Sequence, residues 1–209
     1  QQQFAALSDG EKISATVKAI SNSLTSRRLL SPAEAMNAIT VGAAHADDSG
    51  NAYPQFGQRV DVLPSQTLFS PATRLGFGFN RSIKPDILMP GGRQLYNAPM
   101  QDSSTLYSVD NSIIAPGQKV ALDSKKQGVL NSEAFWRGTS NATALATRGA
   151  VRLYDMLDRL RNEEGEDIPE TLMSVLMKTL LVHGAKQDDV GKQHIEQALK
   201  DARNTHQFK

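Results

Sequence analysis

An α/β fold, with short parallel strands flanked by helices, is what the sequence predicts, and three stretches predict it. Ala38-Ile39-Thr40-Val41-Gly42-Ala43-Ala44 is a short, nearly continuous apolar run containing β-branched residues, the pattern of a strand buried in a parallel sheet. Ile83-Lys84-Pro85-Asp86-Ile87-Leu88-Met89-Pro90-Gly91-Gly92 reads as a second short strand, bracketed by prolines and closed by a glycine turn. From Ser140 to about Asn162 the apolar residues Ala142, Leu145, Ala146, Val151, Leu153, Tyr154, Leu157 and Leu160 recur at helical spacing over a broad surface, so this helix is expected to be largely buried.

The remaining elements follow in chain order. Ser8-Asp9-Gly10-Glu11 spells a capping box, and Ile13, Val17, Ile20 and Leu24 then mark one face of a first amphipathic helix. Ser31-Pro32-Ala33-Glu34 spells a second box and predicts a short helical turn. His45-Ala46-Asp47-Asp48-Ser49-Gly50 is a loop by composition, and residues 51–80, rich in Gly, Pro and aromatics, predict irregular structure with a few short strands. Residues 93–136 mix turn residues with β-type runs such as Ser112-Ile113-Ile114, predicting an antiparallel excursion. After a break at residues 163–167, Pro169 opens a helix through Leu180 and Leu181, and a more polar helix is expected over about residues 188–203.

The bulk composition narrows the function classes. The chain has 209 residues, 39% hydrophobic and 22% charged, enough for one domain or a large piece of one. With 23 Lys and Arg against 22 Asp and Glu, its formal charge of +1 provides no long-range field for nucleic acid or an anionic membrane. No stretch approaches the roughly 20 apolar residues of a membrane span, and Gln1-Gln2-Gln3 has none of the basic or apolar character of a secretion signal. The absence of cysteine suits a reducing, cytoplasmic compartment and leaves secretion open.

Chemistry is concentrated in Phe135-Trp136-Arg137-Gly138-Thr139-Ser140-Asn141-Ala142-Thr143-Ala144, where a glycine and two hydroxyl residues directly precede the Ala-rich helix. There, free backbone N–H groups and the positive end of the helix dipole can stabilise an oxyanion, and glycine lets a substrate backbone approach. Capping by Thr139 or Ser140 is the commoner use of such residues at a helix start.

Four ordered segments together are more specific than any one. Ser31-Pro32-Ala33 through Ala38-Ile39-Thr40-Val41-Gly42-Ala43, then Phe69-Ser70, then Lys84-Pro85-Asp86-Ile87 with Pro90-Gly91, then Gly138-Thr139-Ser140 with Ala142-Thr143 resemble, in order, elements of the subtilisin-like serine proteases, the subtilase family. The resemblance spans about residues 31–160 and implies a subtilisin-like parallel sheet flanked by helices, present as its C-terminal portion, with residues 165–209 a helical extension. It departs from the family pattern at Met89, Asn141 and Ala144.

The resemblance implies a serine endopeptidase with Ser140 as nucleophile, its backbone N–H as one oxyanion donor, Thr139 as a supporting hydroxyl and Gly138 giving close approach. Trp136 and Arg137 would line the leaving-group side of the cleft. The family's chain order is Asp, His, then Ser, and segments resembling those that carry the Asp, the His and the oxyanion Asn are not found ahead of residue 31. The expectation is therefore that an N-terminal half supplies them, that the 209-residue chain alone is inactive, and that peptide or protein is the substrate of the intact enzyme. A non-catalytic, subtilase-like binding module is the alternative reading. His45 beside Asp47 and Asp48 is the one internal candidate for a base with a neighbouring carboxylate, His183 reads as a core or helix-end residue, and His194 and His206 fall in polar segments. No cofactor is implied. His45, Asp47 and Asp48 have metal-ligating types without a second cluster, so calcium is unsupported.

Overall fold

The computed structural model describes residues 4, 6–50, 59–99, 106–124, 126–163 and 167–200. Helix α1, Asp9–Asn22, opens on the expected capping box: Ser8 Oγ accepts from the Glu11 N–H, and the Glu11 carboxylate accepts from the Ser8 N–H at 2.9 Å. Its apolar face then finds partners. Ile13, Val17, Ile20 and Leu24 are all buried, in one cluster with Leu63, Leu68, Phe69 and Leu75 and with Ile195, Ala198 and Leu199. The last three belong to, or directly follow, helix α4, Asp189–Ala198. The main apolar core of the described residues thus lies between α1 and α4.

Strand β1 is Val41–Ala44. A short strand, β2, follows at Arg59–Val60, and β3 is Ile87–Pro90. β1 and β3 pair in parallel, Val41 opposite Ile87 and Ala44 opposite Pro90, as the two apolar runs predict. The ladder starts three residues later than the apolar run, and the Lys-Pro-Asp element explains why. The Asp86 carboxylate takes the Thr40 N–H at 2.7 Å, and Lys84 Nζ donates to the Ala38 carbonyl and to Asp86, so the chain ahead of Val41 is anchored by side chains. On the other side of β1, His45 N–H donates to Leu68 O and Ser70 N–H to Ala43 O, while no described strand pairs with the outer edge of β3.

The excursion is antiparallel, as predicted. β4, Tyr96–Asn97, lies between β2 and β5, Ser108–Val109. β6, Gln118–Ala121, pairs with β7, Glu133–Trp136. The run at residues 112–114 is a bend rather than a strand.

Helix α2, Thr139–Asn162, leaves directly from β7 and packs on β1, β3 and helix α3, Met173–His183. Two expectations need correction. The second box does not close: residues 31–34 form the expected turn, with Ala35 N–H on the Pro32 carbonyl, but the Glu34 carboxylate takes the Phe79 N–H rather than a donor of Ser31. Nor is α2 largely buried. Ala142, Ala146 and Leu157 are, but Val151 is 55% exposed and Tyr154 and Met156 nearly as open. A two-stranded ladder and one neighbouring helix cover only one stripe of a 24-residue helix. The C-terminal helix ends at Ala198, where the Leu199 N–H closes on the Ile195 carbonyl, short of the expected end at about residue 203.

Gly149 lies in mid-α2, where an added Cβ would make only an ordinary contact, 3.9 Å from Leu181 Cδ2. Gly149→Ala is expected to stabilise the fold by about 0.5–1 kcal/mol through helix propensity, measured by urea denaturation. A loss of stability would show α2 and α3 packed more tightly than described.

Candidate active site

Ser140 is reached by a sharp exit from β7. Gly138 is the N-cap of α2 at φ +139°, ψ 172°, a conformation that side-chain-bearing residues rarely adopt, and its N–H donates to the Gly91 carbonyl just beyond β3 at 2.8 Å. The helix start is thereby fixed to the carboxyl end of the parallel pair, the place where open α/β sheets carry their sites. No side chain caps this end, so neither Thr139 nor Ser140 is spent as an N-cap. Both are exposed. Among the described residues no hydrogen bond engages the Ser140 hydroxyl, while Ser140 is the second residue of the helix and its N–H is one of the first-turn donors without an intrahelical acceptor.

Trp136 is 52% exposed, and its carbonyl accepts from Asn141 Nδ2 at 3.0 Å, a bond across the turn. Asn141, noted in the sequence only as a departure, is thus part of the turn's framework. Arg137 departs from the expected cleft-lining role. Its Nε donates to Pro116 O at 2.7 Å, its Nη1 to Ser112 O at 2.6 Å and its Nη2 to Ile114 O. Burial lowers the pKa of this guanidinium, Asp110 opposes that and Arg59 adds to it; an arginine stays cationic regardless.

An open cleft of about 910 Å³ sits at the carboxyl ends of β1 and β3, walled by Asp47, Asp48, Pro90, Gly117, Phe135 and Leu145 among others. Leu145 comes from the helix that begins at Ser140. Ser140 itself is outside this wall, at the opening end of α2. The candidate internal base is excluded by its contacts. His45 is fully buried, its Nε2 lies 2.9 Å from Asp61 Oδ1, and its Nδ1 accepts the Gln94 N–H at 3.3 Å, so both ring nitrogens are engaged. Its carboxylate partner is Asp61 and neither of the adjacent aspartates. His183 is exposed at the end of α3, His194 is on α4, and His206 lies outside the described residues. No described histidine is hydrogen-bonded to Ser140.

Asp47 is committed as well. Its carboxylate accepts the N–H groups of Arg93, at 2.8 Å, and Ser49, at 3.0 Å, and pairs with the Arg93 guanidinium, both side chains being almost wholly buried. Asp110 is held in the same way by Ser112 and by Arg59, 2.6 Å away. No group of three or more His, Asp or Glu among the described residues is placed to hold a metal ion. No helix among them is long and apolar enough to cross a membrane.

Compared with known families, residues 2–205 match the Subtilase family. The chain belongs to the subtilase family, and its parallel pair with flanking helices agrees with that fold. The match extends beyond residues 31–160, where the legible motifs lie, and takes in α1, α3 and α4. No curated protein and no solved structure matches the chain.

The two buried carboxylates predict an acid limit on stability. For Asp47 and Asp110, burial raises the pKa, but the N–H, hydroxyl and guanidinium donors outweigh it and hold both carboxyls below the ordinary range. A carboxyl with a lower pKa in the folded state contributes stability in full above its unfolded value of about 3.9, and loses it as pH falls through the folded value. The thermal midpoint is therefore expected to be flat from pH 7 to about 5 and to fall below about pH 4, while Asp110→Asn lowers the midpoint at pH 7 and weakens the acid dependence. A midpoint that rises on acidification would contradict this.

Proposed function

We propose that Ser140 is the nucleophile of a subtilisin-type serine endopeptidase and that residues 1–209 are the C-terminal portion of its catalytic domain. One observation carries the reading: in a member of this family, the serine of the Gly-Thr-Ser segment stands in the first turn of a helix that starts at the carboxyl end of the parallel strands, exposed and with its hydroxyl unspent. In the reaction, Ser140 Oγ attacks a peptide carbonyl carbon and loses its proton to a histidine base, giving a tetrahedral oxyanion. The Ser140 N–H donates to that oxyanion, with Thr139 beside it and Gly138 leaving room for the substrate backbone. Collapse expels the amine, which takes the proton back from the base, and water then hydrolyses the acyl-enzyme.

The base, its orienting aspartate and the asparagine oxyanion donor belong to another part of the intact protein. His45 supports this, because a ring with both nitrogens engaged and no exposed surface has no means of accepting a proton from Ser140. In subtilisin, losing the histidine alone lowers turnover by about a millionfold. Peptides and proteins are the substrate class of the intact enzyme, and no cofactor is required.

A fluorophosphonate probe tests the reading. The 209-residue chain alone is expected to label at Ser140 no faster than at its other exposed serines, whereas a longer gene product bearing the remaining triad labels rapidly and stops doing so on Ser140→Ala. Rapid stoichiometric labelling of the short chain would place a base within it. Labelling in neither would favour a non-catalytic binding module.

A further inference from the structure

All five carbonyls of residues 112–116 are claimed by donors from two sides. Arg137 takes those of Ser112, Ile114 and Pro116 through three different nitrogens. Phe135 N–H takes that of Ile113 at 2.8 Å, and Arg59 Nη1 takes that of Ala115 at 3.0 Å. The segment is fixed in turn by Asp110, which accepts from Ser112 N–H and Oγ and pairs with Arg59. It is therefore a rigid ledge, and Arg137 is the side chain that reaches it from the residue just before the N-cap of α2.

The placement of this cation is not one that helix stability would favour. Positive charge at a helix N-terminus opposes the helix dipole, and Arg137 forms no ion pair within 4.0 Å among the described residues, its partners being neutral carbonyls. A planar fork bonded to three fixed acceptors instead defines where its own backbone lies. That backbone continues through Gly138 and Thr139 into Ser140. On the far side of the turn, Asn141 Nδ2 bonds to the Trp136 carbonyl and Gly138 N–H bonds to Gly91 O, so the turn is held at three points, of which Arg137 supplies the most bonds.

We propose that Arg137 is a positioning residue for the nucleophile, setting the Ser140 turn against the 112–116 ledge and making no contact with substrate. The inference rests on the reading of Ser140 as nucleophile. Misplacement of a reacting atom by about 1 Å costs about a hundredfold in rate, so Arg137→Ala in the full-length protease is expected to lower kcat about a hundredfold, with KM changed less than about threefold. Millimolar guanidinium is expected to restore part of the lost kcat in Arg137→Ala and to leave the wild type unaffected. Arg137→Lys stays impaired, because an ammonium cannot span three carbonyls held by a fork.

The proposal is overturned if either variant keeps kcat within about threefold of wild type, if the loss appears in KM, as a cleft-lining residue would show, or if guanidinium restores nothing. Should Arg137→Ala fail to yield folded protein, the kcat and KM of Arg137→Lys decide alone by the same criteria. Ser140→Ala, assayed in parallel, separates the two readings. Undiminished activity there removes the nucleophile assignment, while an inactive Ser140→Ala beside fully active Arg137 variants removes only the positioning role.

Discussion

Gly91 comes so close to β1 and to the helix start that a methyl group there would meet Ala43 Cβ at 2.4 Å and the Gly138 carbonyl oxygen at 3.0 Å. This approach is the constraint on which the site depends. It lets the Gly91 carbonyl receive the Gly138 N–H, and it lets the small residues Ala142 and Ala146 of α2 lie buried over the parallel pair. A bulkier residue at 91 would lift the helix away from the strands and carry Ser140 with it. Since packed interiors accommodate added volume poorly, this contact fixes position in a way that a surface hydrogen bond would not.

Around that contact the site is held by charge placed against backbone rather than by a large apolar core. The main apolar cluster lies elsewhere, between α1 and α4. Near the cleft, Arg93 ties the loop after β1 to the residues after β3 through Asp47, Arg59 and Asp110 fix the segment before β6, and Arg137 binds that segment to the nucleophile turn. Buried ion pairs of this kind are weak sources of net stability, yet breaking one by removing a partner costs about 3–5 kcal/mol. They constrain loop geometry, which is what a site assembled from loops at strand ends requires.

Much of the fold was legible because it is written in local pattern. The capping box with Ile13, Val17 and Ile20, the two short apolar runs and the helix after Ser140 are all signals carried within one contiguous stretch each. What was not legible depends on partners distant in sequence. Asp86 delays the start of β1, Glu34 is drawn to Phe79, and Arg137 turns to carbonyls more than twenty residues away. The pairing of His45 with Asp61 rather than with the adjacent aspartates is of the same kind. Periodicity overstated the burial of α2, since an apolar helix surface records what a helix can cover and not how much of the sheet lies beneath it. The serine itself was marked by its Gly-Thr-Ser context, whereas the grip of Asn141 on the turn had no signal beyond an unexpected residue type.

The most direct measurement is the equilibrium stability and hydrogen exchange of Gly91→Ala. If the close approach of Gly91 sets the nucleophile turn, the variant loses about 1–3 kcal/mol of stability by overpacking, and amide protection falls first at residues 138–142 and along β1. A variant within about 0.5 kcal/mol of wild type, the level of an uninvolved surface change, with protection at residues 138–142 unaltered, would contradict the account.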